Sequence, residues 1–498
     1  MGICRRQFGL GLVGALAARG WAAPSRPKLT VLVLAEQLRP DALEAAWPQF
    51  TAGGFRRLAE KGAWFADCHH LASTFSATGI ATLATGAWPA QHGIVADSWY
   101  DRAARSAVSA SDEALLATTL AAQAAGDAGM RVTVVAMSRA QAGIFAGSPA
   151  GTPAGTPAAR LYFSTGRGQF DTSGEPPEWL AAYHAAKGPE SARGAGWMAV
   201  NAAPDAPPLR TLRYDENHPQ EFLALYKASP FGQTAEFDLA AELVVRERLG
   251  QGPTADLLCV IDGSAGLLGY ETGARSPLMK QMVLQLDLRL ETLWNQLTRA
   301  VGENGFNLVL CAAHGAPPEP VAAARARMAV KGEALAQAVE SALQASGRHV
   351  EKYLYPFLYL DQPGWSDGAE GVRLAAADAA LAQPAVAGYY TAGGACSLNG
   401  EWRKRFRNSF HAQRCGDVML SYRPEYVEDF GAGRGVSYGS LYNYDAHVPL
   451  VFCGPSFRAG VFEAPVEAVD VAPTLARAMG IAEPSSSVGR VLGEALAL

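Results

Sequence analysis

The 498-residue sequence has no excess of basic residues: 42 Lys and Arg stand against 47 Asp and Glu, and the formal net charge is −5. Proteins that bind nucleic acid usually present a basic surface, so this balance argues against a DNA or RNA partner. The seven cysteines form no CxxC pair and show no zinc-finger spacing, so they predict no metal site. With 49% apolar and 18% charged residues, the chain has the composition of a globular protein with a large core.

Long hydrophobic runs are also missing, because no segment after the N-terminal region reaches the ~20 apolar residues that span a bilayer. The N-terminus carries the pair Arg5-Arg6, then a short apolar run that ends at Ala18, then small residues. This order is typical of a cleaved secretory signal, and the arginine pair favours the twin-arginine route. The sequence therefore predicts a signal peptide over residues 1–22 and a periplasmic or secreted protein without a membrane span. An uncleaved membrane anchor is the alternative.

Two cysteines could pair if the protein is exported. Cys396 and Cys415 flank a polar, Arg-rich segment, and an oxidising compartment would allow a disulfide between them. Cys259, Cys311 and Cys453 lie within apolar runs instead, so we interpret them as buried thiols.

Continuous apolar runs alternate with helical patterns along the chain. Such runs are typical of parallel strands buried on both faces, and they occur at 29–35, 131–137, 256–261, 307–311 and 449–453. The alternation predicts an α/β fold with a doubly wound, mostly parallel sheet. Residues from about 138 to 230 are rich in Pro, Gly and aromatic side chains and lack periodicity. We interpret them as a cap inserted into one domain that spans residues 23–498.

Ligand sites in such sheets form beyond the carboxyl ends of the strands. Four places therefore attract attention: Glu36, a predicted loop at 262–270, Ala313-His314, and 445–447. The stretch 73–86 is small, rich in hydroxyl groups and helix-permissive after Ser76. A helix start is a natural anion site, although Ser76 could equally be a simple N-cap.

The order of several motifs along the chain resembles the alkaline phosphatase superfamily. They are Glu36-Gln37-Leu38-Arg39, Phe75-Ser76-Ala77-Thr78-Gly79, Ala90-Gln91-His92-Gly93-Ile94 with Ser98-Trp99-Tyr100-Asp101, Ser229-Pro230-Phe231-Gly232, Ala313-His314-Gly315, Tyr442-Asn443-Tyr444-Asp445-Ala446-His447-Val448-Pro449 and Val471-Ala472-Pro473-Thr474-Leu475. The set is similar to the periplasmic, phosphate-irrepressible branch, which is related to the nucleotide pyrophosphatase/phosphodiesterases. The resemblance implies hydrolysis of phosphate esters by two zinc ions and a Thr or Ser nucleophile.

By this resemblance Ser76 takes the nucleophile position, and Asp97 and Arg139 take positions that bind the substrate. Of the six metal-ligand positions besides the nucleophile, two are intact and one is conservative: His314, His447 and Glu36. The other three positions hold Gly266, Tyr270 and Ala313 in place of the expected ligands. A catalytic zinc usually keeps three protein ligands, so at most one ion is expected, held by Glu36, His314 and Ser76.

Other residues offer alternatives. Asp262 or Glu271 could replace a lost ligand after a small loop shift. His314 and His447 could bind one ion together with Glu36, although we favour the interpretation that they are remnants held by hydrogen bonds. We interpret Asp445 as a structural partner that orients His447 or caps its loop. His69 and His70 are adjacent and would point to opposite faces of an extended segment, so they are not a metal pair. A basic segment at 403–407 is interpreted as a solvated loop, with an anion-recruiting rim as the alternative.

The hypothesis is therefore an exported member of this family that is non-catalytic or strongly impaired. The alternative is an active phosphomonoesterase or phosphodiesterase that uses Ser76 and a remodelled, single-metal site. Its ligand would be a phosphate ester or another small anion. A sulfatase would need a modifiable Cys or Ser motif, which the stretch 73–86 lacks.

Overall fold

The computed structural model describes residues 26–150, 158–317, 328–361, 369–424, 426–429 and 437–497; the signal peptide predicted at 1–22 lies outside them. The strands are β1 Leu29–Glu36, β2 Gly62–His69, β3 Ser98–Asp101, β4 Ser106–Ser109, β5 Arg131–Ala136, β6 Ala159–Ser164, β7 Gln169–Thr172, β8 Gly196–Trp197, β9 Arg210–Thr211, β10 Asp256–Asp262, β11 Phe306–His314, β12 Ala329–Val330, β13 Val350–Leu354, β14 Phe357–Leu360, β15 Val386–Thr391, β16 Val418–Tyr422, β17 Val427–Glu428, β18 His447–Cys453, β19 Gly460–Phe462 and β20 Val466–Glu467.

The helices are α1 Pro40–Ala46, α2 Phe55–Lys61, α3 Ser76–Thr85, α4 Pro89–His92, α5 Leu120–Asp127, α6 Arg139–Ala146, α7 Glu178–Lys187, α8 Pro219–Lys227, α9 Pro230–Arg246, α10 Gly263–Thr272, α11 Pro277–Val301, α12 Gly332–Leu343, α13 Ala369–Leu381, α14 Glu401–Ser409, α15 Asn443–Ala446 and α16 Val471–Met479. Short 3-10 turns occur at Trp47–Gln49, Asp112–Ala114, Pro189–Ala192, Gln344–Ser346 and Ala468–Asp470.

Ten strands form one large sheet in the order β19-β2-β18-β11-β1-β10-β5-β6-β7, and β20 also pairs with β2. The central strands β11, β1, β10, β5 and β6 run parallel to one another, whereas β18 is antiparallel to both β11 and β2. Strand β7 is antiparallel to β6. The predicted α/β fold with a doubly wound, mostly parallel sheet is confirmed.

The centre of this sheet is the core of the molecule. Every residue of β1, β10 and β11 is buried, as their continuous apolar sequences predict. Helices α9, α10 and α11 pack together and reach β1 and β10, while α3 and α6 pack together and reach β11 and β5. Because these strands run parallel, their carboxyl ends meet at one edge of the sheet, and Glu36 and His314 stand there as register partners.

Some local predictions were wrong. The segment expected as a loop at 262–270 is helix α10, which begins at Gly263 and is capped by the Asp262 side chain at the backbone N–H of Ala265. Its three glycines lower helix propensity and hid it. The basic segment at 403–407, which was expected as a loop, belongs to helix α14.

A second, four-stranded antiparallel sheet was not predicted. It has the order β13-β14-β16-β15 and shares a separate apolar cluster with α12 and α13. Its strands of 4–6 residues are too short for a periodic signal to stand out. The interval predicted as a cap, about 138–230, contributes β6 and β7 to the large sheet.

Across the described ranges, no helix is both long and apolar enough to cross a membrane. The thiols of Cys396 and Cys415 are free, as are those of the other four cysteines that the structure describes. A disulfide between Cys396 and Cys415 is therefore not formed here.

Candidate active site

Ser76 is the first residue of helix α3 and stands over the carboxyl end of β1. Its hydroxyl donates a hydrogen bond to Oε1 of Glu36, the last residue of that strand. Both side chains are buried. The N-cap position belongs to Phe75 and has no side-chain hydrogen bond, so the interpretation of Ser76 as an N-cap was wrong. The Ser76 hydroxyl faces a carboxyl group rather than the backbone of its own helix.

Helix α3 can lie this close to the sheet because Gly79 has no side chain. A Cβ at Gly79 would fall 1.9 Å from the carbonyl oxygen of Ala313 on β11. Gly79 is therefore required by the approach of the two backbones, and it sets how near Ser76 comes to the strand ends.

The Glu36 carboxyl fills the space beside Gly266 on helix α10. A Cβ at Gly266 would lie 2.3 Å from Oε2 of Glu36 and 2.8 Å from its Cβ. The Glu36 side chain therefore fits in this position because residue 266 has no side chain. Burial, with smaller contributions from the charges of Asp97 and Asp262, raises the pKa of Glu36 to about 8.

His314, at the end of β11, lies behind Glu36. Its Nδ1 donates to the carbonyl oxygen of Gly315 at 2.6 Å, which leaves a lone pair on Nε2. That Nε2 is buried, has no hydrogen-bond partner among the described residues, and lies 4.0 Å from Oε1 of Glu36. The ring stacks on Tyr438 at 4.4 Å, and burial lowers the pKa of His314 to about 3. His314 is therefore a neutral imidazole with one free nitrogen.

Asp97 sits at the N-terminus of helix α3. Its Oδ1 accepts the backbone N–H of Ala77 at 2.8 Å, and its Oδ2 accepts the hydroxyl of Tyr438 at 3.0 Å. A helix N-terminus is where an anion would bind. In this chain the carboxyl group of Asp97 takes one of the donors that such an anion would use, and burial raises its pKa.

A cavity of about 400 Å³ opens in front of Ser76. Its polar lining consists mainly of Glu36, Ser76, Asp97, Ser109, Ser138, Gln141, Lys227, Tyr270 and Tyr438. Lys227, at the end of α8, is the one cation in this lining within the described residues. Lys227 was not predicted from the sequence, because a lysine at the end of a helix is also common on ordinary surfaces. Burial lowers the pKa of Lys227, as expected for an ammonium group near a cavity wall.

Arg139, predicted to bind the substrate, does not line this cavity. Its guanidinium lies 5.9 Å from the centre of the Tyr162 ring, and the residue is exposed. Two residues along α6, Gln141 faces the site instead, with Nε2 at 3.5 Å from the Ser76 hydroxyl. The neutral amide of Gln141, and not the guanidinium of Arg139, therefore lies beside Ser76.

His447 is likewise not brought to Ser76. Its Nε2 donates to the carbonyl oxygen of Ala66 at 3.0 Å, and its ring stacks on His69 at 4.7 Å. It is absent from the cavity lining. Asp445 does not orient it: Oδ2 of Asp445 accepts the backbone N–H of Ser440, which supports the loop-capping interpretation.

The acids considered as replacement ligands are engaged elsewhere. Asp262 accepts from Gln233 Nε2 at 2.7 Å besides capping α10, and Glu271 forms a two-point ion pair with Arg210. Neither lines the cavity. Tyr270 contributes to the cavity wall, and Ala313 is fully buried.

Comparison with known sequences places the chain in a family. The family model described as "Type I phosphodiesterase / nucleotide pyrophosphatase" matches residues 30–428. The chain belongs to this family, which is part of the alkaline phosphatase superfamily. The resemblance drawn from the motifs is confirmed.

Individual relatives agree with this assignment. Alkaline phosphatase PhoV of Synechococcus elongatus is 25% identical, over 95% of this chain and 93% of that protein. Alkaline phosphatase PafA of Elizabethkingia meningoseptica is 24% identical, over 97% of both chains. The crystal structure of wild-type PafA superposes with a TM-score of 0.82 at 22% identity, covering 95% of this chain and 100% of that one. Murine ectonucleotide pyrophosphatase/phosphodiesterase 5 superposes with a TM-score of 0.54 at 15% identity.

Family members depend on metal ions, with zinc in the alkaline phosphatases. The side chains present here do not fit a two-zinc centre, because Gly266 and Ala313 offer no ligand atom and His447 lies outside the cavity. One ion fits better: the free, buried Nε2 of His314 points to a missing partner near Glu36 and Ser76. These three side chains are the candidate donor set.

Proposed function

We propose that this chain is an exported alkaline-phosphatase-family protein whose Ser76 cavity binds a singly charged phosphate ester and hydrolyses it weakly or not at all. The observation that carries the proposal is the charge of the cavity wall. Across the described lining it holds two carboxyl groups, one ammonium and no imidazole. Phosphoryl transfer depends on positive charge around the phosphate, and this cavity offers little of it.

The state of Ser76 supports weak catalysis. A serine hydroxyl is a poor nucleophile unless a base or a metal ion activates it. The hydrogen-bond partner of Ser76 is Glu36, whose pKa of about 8 leaves the carboxyl group mostly protonated at neutral pH. A protonated carboxyl group cannot take the hydroxyl proton.

The ligand class follows from Lys227 and Asp97. One ammonium can balance the single charge of a phosphodiester, whereas a doubly charged monoester would also meet the carboxyl group of Asp97 at the helix N-terminus. We therefore infer a phosphodiester in preference to a monoester. The signal expected at residues 1–22 would deliver the protein to the periplasm.

A second candidate function is hydrolysis with one bound ion, favoured by the unpartnered Nε2 of His314. Glu36, Ser76 and His314 would hold the ion, which when bound would supply positive charge to the phosphate and lower the pKa of the serine hydroxyl. Lys227 would then keep its role of holding the anionic group of the substrate.

The test measures binding and turnover of bis-p-nitrophenyl phosphate and p-nitrophenyl phosphate, with and without Zn²⁺. We expect the diester to bind more tightly, and Lys227→Met to weaken it about tenfold, the ~1.4 kcal/mol of one modest charge contact. Lys187→Met is the matched control, since Lys187 pairs with Asp238 away from the cavity and should leave binding unchanged. Turnover should be equal in the wild type and Ser76→Ala.

Two results would contradict the proposal in different ways. Turnover that requires Zn²⁺ and disappears in Ser76→Ala would establish the single-ion hydrolase instead. Diester binding that is absent, or that ignores Lys227, would remove the ligand assignment altogether.

A further inference from the structure

A second group of potential metal ligands lies on the large sheet, outside the Ser76 cavity. Among the described residues, one set of His, Cys, Asp or Glu side chains has three ligand atoms within 4.8 Å of one another, and it consists of Asp67, His69 and His447. None of the three lines the cavity of Ser76.

Strand pairing brings these residues together. Asp67 and His69 are two positions apart on β2, so their side chains share one face, while Cys68 between them is buried. His447 is the register partner of His69 on the antiparallel strand β18. Sequence distance hides this arrangement, because 378 positions separate His69 from His447.

The donor atoms converge on the Asp67 carboxylate. Its Oδ1 lies 2.6 Å from Nε2 of His69 and 3.9 Å from Nε2 of His447. Two ligands of one tetrahedral zinc ion stand about 3.4 Å apart, given bond lengths of about 2.0–2.1 Å. Side-chain adjustments of under about 1 Å at the two contacts would therefore admit an ion. Nδ1 of His69 is buried and without a hydrogen-bond partner in the described chain, so the ring's polar contact is with Asp67 alone.

The site is accessible to solvent, and the cations near it are paired with acidic side chains. The side chains of His69, His447 and Asp67 are 15%, 31% and 40% exposed. The nearby cation Lys404 is paired with Glu467, which lies on β20 and is the register partner of His69 on β2. The other nearby cation, Arg405, pairs with Glu401 at 3.5 Å and also donates to the carbonyl oxygen of Leu441. Binding through Nε2 of His447 would replace its hydrogen bond to the carbonyl oxygen of Ala66 and would leave the Lys404–Glu467 ion pair in place.

We propose that Asp67, His69 and His447 bind one divalent transition-metal ion, with Zn²⁺ the best match to two imidazoles and a carboxylate. Three protein ligands leave a coordination position for water or an anion. In this site His447 binds the ion together with Asp67 and His69, and not with the residues around Ser76 that the resemblance implied. The site does not depend on any activity of Ser76.

The experiment is calorimetric titration of the full chain with Zn²⁺ after removal of metals with EDTA. We expect one ion bound through this site, and at least tenfold weaker binding in His69→Gln and in His447→Gln. The matched control is His218→Gln, which removes an exposed imidazole 3.1 Å from Asp215, a pair outside the proposed site. A second control, His314→Gln, separates this ion from one held beside Ser76.

Wild-type affinity and stoichiometry in both His69→Gln and His447→Gln would overturn the proposal, as would loss of the ion in His314→Gln alone. Melting curves recorded in EDTA check that the variants fold. If the variants do not fold, diethyl pyrocarbonate modification of the wild-type protein tests the site instead. Zn²⁺ should protect His69 and His447 from diethyl pyrocarbonate at least tenfold, while His218 stays reactive; equal modification with and without Zn²⁺ would refute the site.

Discussion

Replacing Gly266 with Ala should destabilise the protein, although alanine is the better helix former. Gly266 lies inside helix α10, where Ala would ordinarily gain about 1 kcal/mol. Here the new methyl group would meet Oε2 of Glu36 at 2.3 Å, its Cδ at 3.0 Å and its Cβ at 2.8 Å. The carboxyl end can rotate away, but the Cβ is fixed to the end of β1. Overpacking of this kind costs about 1–3 kcal/mol, so after the helix-propensity gain we expect a net loss of up to about 2 kcal/mol.

The assay is urea denaturation of the wild type, Gly266→Ala, Glu36→Ala and the double variant. Because Glu36→Ala removes the carboxyl group but keeps the Cβ, it should relieve part of the clash. The double variant should therefore be more stable than the sum of the single changes predicts, by about 1 kcal/mol. The matched control is Gly126→Ala in helix α5, where an added Cβ meets no atom within 4 Å and should be neutral or stabilising.

Additivity would refute this reasoning. If the effects of Gly266→Ala and Glu36→Ala add within about 0.3–0.5 kcal/mol, the two residues are not coupled. Gly266 would then be free to accept a side chain.

Two further predictions concern pH and export. Burial, together with the charge of Asp262, raises the pKa of Glu236 well above its usual range. The neutral form of Glu236 therefore stabilises the fold at low pH. This stabilisation is lost as the pH rises through the folded-state pKa. Glu236→Gln should therefore gain stability relative to the wild type from about pH 5 upward. The gain should be about 1.4 kcal/mol for each pH unit between the folded and unfolded pKa values. A constant difference in urea midpoints from pH 5 to 8 would contradict this prediction. For export, Arg5→Lys with Arg6→Lys should leave the protein in the cytoplasm on cell fractionation, whereas unchanged periplasmic recovery would rule out the twin-arginine route.

Much of the fold could be predicted because its signals are local. The buried run at β1 ends in Glu36, and the small, hydroxyl-rich stretch around Ser76 begins a helix, as the sequence indicates. The family could be recognised from the order of such motifs. Strand β2 was missed because its residues alternate only partly between buried and exposed positions, and its neighbours β18, β19 and β20 come almost 400 residues later.

The site was predicted less well, because alignment with a motif does not say where a side chain points. Arg139 and His447 occupy positions that the resemblance assigned to the site, yet they contact Tyr162 and His69. Lys227 carries no motif of its own and reaches the cavity only because helix α8 ends beside it.

The sequence by itself therefore determined the family and the alternation of buried parallel strands with helices at the centre of the sheet. Only the tertiary structure decided that Glu36 fills the space beside Gly266, that Asp97 takes a donor of helix α3, and that His447 joins Asp67 and His69. The physical reason is range. Hydrophobic periodicity acts over a few neighbouring residues and is visible in the chain. Steric fit and charge act between residues that only folding brings together: 230 positions separate Glu36 from Gly266 and 378 separate His69 from His447.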